Sequence, residues 1–213
     1  MRSEIQDAVL YGIVDRGYIE ADQCESVTRE LIAGGAGIIQ LRAKQCGEEE
    51  VERLSRLIAP HCKRAEVPFI VNDFPEIARR VNADGLHIGQ DDGTIEEARE
   101  VVGEDIIIGR STHSLEQARQ ALIDGFDYIG FGPLFPTPTK KGRPGIGMEN
   151  ISLVQQEVGS KIPVFCIGGI TRSNLQIVLE NGAKRVVIVS DLLKASSVED
   201  AASSVNNKIK NFK

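Results

Sequence analysis

The chain has 213 residues and a mass of 23.2 kDa, with 41% hydrophobic and 26% charged residues and no Trp; this is enough for one well-buried core, short for two domains, and unlike a disordered protein. A net charge of -6 and a pI near 5.2 lack the basic excess of a general nucleic-acid binder, and no apolar run approaches the roughly 20 residues of a membrane-spanning helix, so neither nucleic acid nor membrane is an expected partner. The four cysteines, Cys24, Cys46, Cys62 and Cys166, form no Cys-x-x-Cys pair, and the start Met-Arg-Ser-Glu-Ile-Gln-Asp has no apolar signal region, so one cytoplasmic domain over residues 1–213 is expected, without zinc or a disulfide framework.

Short β-branched runs alternate with amphipathic segments along the whole chain, the pattern of repeated strand–helix units around a parallel sheet. The first predicted strand runs from Ala8 to Asp15. Its continuation, Tyr11-Gly12-Ile13-Val14-Asp15-Arg16, has no G-x-G-x-x-G, which counts against an open dinucleotide-binding sheet. The first helix should close at Gly34, where a left-handed C-cap suits glycine. In the second strand, Gly37 to Lys44, Ile39, Leu41 and Ala43 share one face and Ile38, Gln40, Arg42 and Lys44 the other. The apolar face must meet the helices, so Gln40, Arg42 and Lys44 point into the barrel, progressively nearer its C-terminal mouth. Two cations and an amide in file suit a phosphate, because unpaired buried cations are costly; an ion pair inside the barrel is the alternative.

The following helix places Val51, Leu54, Leu57 and Ile58 on one face. The third strand, Val67 to Asp73, ends in Asn72-Asp73. The fourth, Gly85 to Gln90, carries His87 and leads into Asp91-Asp92. Mg²⁺ takes one or two carboxylates together with waters and phosphate oxygens, which Asp73 and either Asp91 or Asp92 can supply; helix capping before Thr94 is the alternative for these two aspartates.

The fifth strand, Asp105 to Thr112, precedes a helix capped by Ser114, with Leu115, Ala118 and Leu122 facing inward and Gly125 closing it. The sixth, Tyr128 to Phe135, runs into a long polar and cationic loop around Thr137, Thr139 and Lys140. That loop reads as a lid over the mouth, with a merely solvated loop as the alternative. The seventh, Pro163 to Ile170, ends in Gly168-Gly169 before a helix capped by Thr171 or Ser173 and closed by Gly182. The eighth, Arg185 to Ser190, ends beside Asp191. Loops after strands seven and eight are the usual phosphate-binding place in an eight-fold barrel. The predicted architecture is therefore a single (β/α)8 barrel, an α/β fold of parallel strands with its active site at the C-terminal strand ends.

Six motifs stand in this order on successive strand ends: Gln40-x-Arg42-x-Lys44, Asn72-Asp73, His87-x-Gly89-Gln90-x-Asp92, Ser111-x-His113, Gly132-Pro133-x-Phe135-Pro136-Thr137-x-Thr139-Lys140 and Gly168-Gly169-Ile170. Together they resemble the thiamine phosphate synthase family over essentially the whole chain. The resemblance implies a (β/α)8 barrel and a Mg²⁺-assisted, dissociative condensation. Its substrates would be 4-amino-5-hydroxymethyl-2-methylpyrimidine diphosphate and hydroxyethylthiazole phosphate. It further implies that Arg42, Lys44, Asn72 and Lys140 hold the diphosphate, Asp73 and Asp92 the metal, and Gln40 the pyrimidine. Ser111 would lie near the reacting centre, with Thr137, Thr139, Gly169 and Ser190 at the thiazole phosphate. His87 reads equally as a core residue or a functional one.

Three positions depart from the family's commoner pattern. Asp191 sits beside the expected phosphate site, where its charge is unfavourable unless it points away. Arg110 stands where an apolar residue is usual, and Val14 where Thr is. The Arg110-Ser111-x-His113-Ser114 stretch also resembles the related thiazole tautomerases, in which the corresponding histidine is catalytic; a surface position at the start of a helix is the other reading of His113. A non-catalytic binder of phosphorylated thiamine precursors is a further alternative. The complete set Arg42, Lys44, Asp73, Asp92 and Lys140 favours the synthase, because a binder need not stabilise a departing diphosphate. The sequence assigns no oligomeric state.

Overall fold

All eight β-branched runs form strands, and all pair in parallel: β1 (Leu10–Asp15), β2 (Ile38–Arg42), β3 (Phe69–Asn72), β4 (Gly85–Ile88), β5 (Ile107–Thr112), β6 (Tyr128–Phe131), β7 (Val164–Cys166) and β8 (Val186–Val187). They close into a barrel in sequence order, β1 pairing with both β2 and β8. The computed structural model describes residues 4–137 and 144–212. Each strand is shorter than its apolar run because the ends of the run enter turns. Thus Ala43 already accepts from the Cys46 N–H, and beyond β6 the Leu134 and Phe135 N–H groups reach the Ile167 and Gly168 carbonyls outside the ladder.

Helices α2 (Cys24–Ala33), α3 (Glu48–Arg64), α4 (Pro75–Arg80), α5 (Ile95–Val102), α6 (Leu115–Asp124), α7 (Ile151–Glu157) and α8 (Leu175–Glu180) connect successive strands. A short α1 (Glu4–Asp7) precedes the barrel, and α9 (Ser190–Leu193) and α10 (Val198–Asn211) follow β8. None of the described helices is long and apolar enough to cross a membrane.

The period of two in the strands divides the core into two layers. Ile39, Leu41 and Ala43 pack outward with Val51, Leu54 and Ile58 of α3, while Ile38, Ile70, Ile107 and Val187 fill the barrel interior with Ile5 and Ala8. Fully burying one such side chain contributes about 1.5–3 kcal/mol. Above them lie the rings of Tyr11, Tyr128 and Phe165. Tyr128 has room because its neighbour on β5 is Gly109, where a Cβ would stand 2.0 Å from the Tyr128 Cζ.

Several predicted helix ends shift. Gly34 closes α2 with an ordinary φ of -74°, and the left-handed residue is Gly35, at φ 87°. Gly125 takes the left-handed C-cap as expected, and Gly182, at φ 100°, follows the Asn181 cap of α8. The N-cap of α8 is neither Thr171 nor Ser173 but Asn174, whose Oδ1 accepts from the Thr171 N–H at 2.8 Å. Ser114 caps α6 through the Gln117 N–H.

Candidate active site

As the alternation predicts, Gln40 and Arg42 of β2, and Lys44 just beyond it, line the cavity at the C-terminal mouth. Both cations have carboxylate partners. Arg42 Nη1 lies 2.8 Å from Asp15 Oδ2, and Lys44 Nζ 2.9 Å from Asp73 Oδ2. Asp15 is the direct register partner of Arg42 across β1 and β2, and its other oxygen accepts from the Gly17 N–H at 2.9 Å. The ion-pair alternative is thus realised, yet it does not exclude anion binding. A guanidinium carries five N–H donors and an ammonium three, and one contact to a carboxylate orients each toward the cavity without using them up.

Asn72 ends β3 with its Nδ2 buried and unpartnered among the described residues. Asp73 follows at φ 69°, a left-handed backbone that turns its carboxylate to the mouth. Asp92 meets it from the β4–α5 loop, held by the Gly89 N–H at 2.7 Å. The two carboxyls hydrogen-bond to each other. Burial, opposed by Lys44 and reinforced by Asp92, raises the Asp73 pKa. For Asp92 burial acts upward too, but the Gly89 N–H, the bond with Asp73, Lys44 and Arg110 together bring it below the usual carboxylate range. The capping alternative for Asp91 and Asp92 fails, because Thr94 caps α5 itself in a capping box with Glu97.

Arg110 explains its own departure from the family pattern. Its guanidinium reaches back to the Gly93 carbonyl at 2.7 Å and the Gln90 carbonyl at 3.3 Å, bracing the loop that carries Asp92, and it lies over the Phe126 ring. Gln90 adds a bond from Nε2 to the Ser111 carbonyl at 2.6 Å.

The floor of the cavity is a hydrogen-bonded chain that the sequence reading did not anticipate. Gln40 Nε2 donates to Tyr11 Oη at 2.8 Å, Tyr11 Oη lies 2.8 Å from Tyr128 Oη, and Tyr128 Oη lies 3.1 Å from His87 Nδ1. His87 Nε2 then stands 3.0 Å from Ser111 Oγ. Burial raises both tyrosine pKa values far above neutrality, so both phenols keep their hydrogens. Phe165 packs edge-on against the two tyrosine rings, with centroids 5.2 and 5.9 Å away. The available signal was the same period of two, which puts Tyr11 and Asp15 on the inner face of β1 and Tyr128 and Gly130 on that of β6. His113 is half-buried at the rim rather than a surface residue, with its Nδ1 bonded to the Gly132 carbonyl.

Across the cavity stand Thr137, Gly168, Gly169, Val189 and Ser190. Gly169 has φ 66°, and its carbonyl is fixed by Asn174 Nδ2 at 3.0 Å. Asp191 points away from this corner: its Oδ2 accepts from the backbone N–H of Arg172 at 2.9 Å and from its Nε at 2.8 Å. Val14 faces the helices in the outer core. Thr139 and Lys140 lie outside the described residues. Among the described residues no three or more His, Cys, Asp or Glu are grouped to hold a metal ion, so any cation would depend on the Asp73–Asp92 pair and on ligand oxygens. The mouth thus joins a cationic and acidic side from β1 to β4 with a glycine and hydroxyl side from β6 to β8, over an aromatic floor.

Known proteins match this chain over most of its length. The family profile described as thiamine monophosphate synthase matches residues 10–192. The thiamine-phosphate synthase of Syntrophomonas wolfei is 38% identical over 197 residues, 92% of this chain and 93% of that protein. That of Persephonella marina is 38% identical over 98% of this chain and 99% of its own. Among solved structures, thiamine phosphate pyrophosphorylase from Pyrococcus furiosus superposes with a TM-score of 0.86 at 32% identity, covering 99% of this chain and 98% of its own.

Proposed function

The chain belongs to the thiamine monophosphate synthase family, and from that membership we propose how its own residues divide the work of a transferase. The pyrimidine diphosphate occupies the β2 to β4 side, with Arg42, Lys44, Asn72 and Lys140 on the diphosphate and Gln40 on the pyrimidine. The thiazole phosphate occupies the β6 to β8 side, held by Thr137, Thr139, Gly169 and Ser190. The carbon–oxygen bond between the pyrimidine methylene and diphosphate breaks first, and the bonding pair leaves with diphosphate. The thiazole nitrogen then donates its lone pair to the methylene, giving thiamine phosphate.

Little proton transfer is needed, so the residues act by electrostatic preorganisation and positioning. Arg42 and Lys44, each oriented by a carboxylate, meet the departing charge without having to reorganise. Ser111 stands at the aromatic floor between the two sides, where the reacting carbon would sit. The observation that carries this reading is the union of the two unlike halves in one cavity, with the buried Asn72 amide on the anionic ligand's side.

The Asp73–Asp92 pair fits Mg²⁺, which prefers a few carboxylates and completes its shell with water and phosphate oxygens. When bound there it would supply charge neutralisation to the diphosphate. A thiazole tautomerase or a non-catalytic binder is not favoured, since the relatives at 38% identity are synthases and the chain carries the paired carboxylates. A cytoplasmic location belongs to the same proposal and is supported by the four free cysteines.

The test is to incubate the protein with pyrimidine diphosphate, thiazole phosphate and Mg²⁺, omitting each in turn, and to follow thiamine phosphate by chromatography. Product is expected only when all three are present. No product from folded protein in the complete mixture would overturn the proposal.

A further inference from the structure

The chain of five polar groups across the barrel floor has a direction, and one residue sets it. A phenol has a single hydrogen, and a neutral imidazole carries one on only one of its nitrogens. Gln40 Nε2 donates to Tyr11 Oη, so the Tyr11 hydrogen is left for Tyr128 Oη, and the Tyr128 hydrogen for His87 Nδ1. With Nδ1 accepting, the imidazole hydrogen is on Nε2 and faces Ser111 Oγ. If Tyr128 donated to Tyr11 instead, the Tyr11 hydrogen would have no acceptor among the described residues, in a side chain 2% exposed. The whole chain can run the other way only if the Gln40 carboxamide presents its oxygen to Tyr11.

We propose that Tyr11 and Tyr128 are positioning residues: they transmit the orientation of the Gln40 carboxamide to His87 and hold it as the Nε2–H tautomer. Ser111 then accepts from His87 and turns its own hydrogen into the cavity. The active site thereby presents a hydroxyl donor to a hydrogen-bond acceptor on the ligand. In the opposite sense Ser111 would donate to His87 and present only lone pairs. The identification of that ligand with the pyrimidine diphosphate rests on the function proposed above; the direction of the chain does not.

Burial narrows the alternatives for the first four groups, while Ser111 is half-buried at the cavity. Both tyrosines, Gln40 and His87 are buried, so water does not compete for these bonds, and successive hydrogen bonds in such a setting reinforce one another. Both phenols stay protonated through the neutral range because burial opposes phenolate formation. The rings are clamped by Phe165, and Gly109 leaves the space in which Tyr128 lies.

The experiment is long-range ¹H–¹⁵N correlation of the imidazoles in the full chain, labelled at histidine and without substrate. Three histidines are present, and the His87 signals are identified by their loss in His87→Gln. In the unmodified protein the protonated nitrogen should be Nε2. Gln40→Glu should move the hydrogen to Nδ1, because a carboxylate can only accept from Tyr11 and so reverses every bond. Tyr128→Phe, which removes the donor while keeping the ring, should release the tautomer into a mixture and lower kcat by about tenfold at nearly constant KM, the effect of losing about one hydrogen bond.

An Nδ1–H tautomer or a doubly protonated ring in the unmodified protein at neutral pH would overturn the proposal. So would an unchanged tautomer in folded Gln40→Glu or, should that variant not fold, in Tyr128→Phe. The spectra need no substrate, so a failed synthase assay with the expected tautomers would refute the functional reading alone.

Discussion

Replacing Asp15 by Asn tests whether the Arg42 guanidinium is held by a counter-charge. The two side chains are 2.8 Å apart, with 2% of the Asp15 side chain and 16% of the Arg42 side chain exposed. At an effective dielectric constant of about 20 the attraction at this separation is about 6 kcal/mol before desolvation. Removing one partner of a fully buried pair typically costs about 3–5 kcal/mol. Here Asn keeps an oxygen for the Gly17 N–H, and Arg42 faces the open mouth, so a loss of about 2–3 kcal/mol is expected. For a chain of this size that is a fall in Tm of about 4–12 °C. Scanning calorimetry with and without inorganic diphosphate reads both consequences: the unliganded variant melts earlier, and diphosphate, now supplying the missing counter-charge, raises its Tm by more than it raises that of the unmodified protein. A Tm within about 1 °C of the unmodified value would refute the reasoning, as would simple additivity of Asp15→Asn with Arg42→Met.

Asp73→Ala should lower kcat by about a hundredfold or more and abolish most of the Mg²⁺ dependence, read by titrating Mg²⁺ in the synthase assay; near-normal turnover would defeat the metal assignment. Arg110→Met should leave the fold intact but loosen the loop that carries Asp92, so that calorimetric binding of diphosphate requires several times more Mg²⁺; an unchanged requirement would show that the brace is irrelevant to the site. Gly109→Ala should destabilise by about 1–3 kcal/mol through overpacking against Tyr128, measured by urea unfolding, and a neutral result would mean that the ring is not seated as described. If the loop around Lys140 acts as the lid that the sequence suggests, Lys140→Ala should reduce kcat more than it weakens pyrimidine diphosphate binding, since a lid acts after the ligand enters; equal binding and an equal rate would refute that role.

Much of the site was legible because strand periodicity is local. Once Ile39 and Leu41 are assigned to the helix face, Gln40 and Arg42 have no direction left but inward, and the structure places them there. The same argument applied to β1 and β6 would have found Tyr11, Asp15 and Tyr128, yet nothing in either segment alone says what those groups touch. Helix caps were less legible, since Thr94 and Asn174 compete with neighbouring Asp, Thr and Ser residues that differ little in capping strength.

The sequence by itself determined eight strand–helix units, their inward polar positions and the order of motifs along the mouth, because each depends on residues only a few places apart. Tertiary structure alone decided the pairings. Asp15 meets Arg42 through the β1–β2 register, Asp191 turns to Arg172 across two loops, and Tyr11 meets Tyr128 from 117 residues away. Those partners are chosen by closure of the barrel, which brings side chains from strands and loops far apart in the chain within hydrogen-bond reach. That closure turns a file of cations into oriented ones and a lone strand histidine into one link of a directed chain.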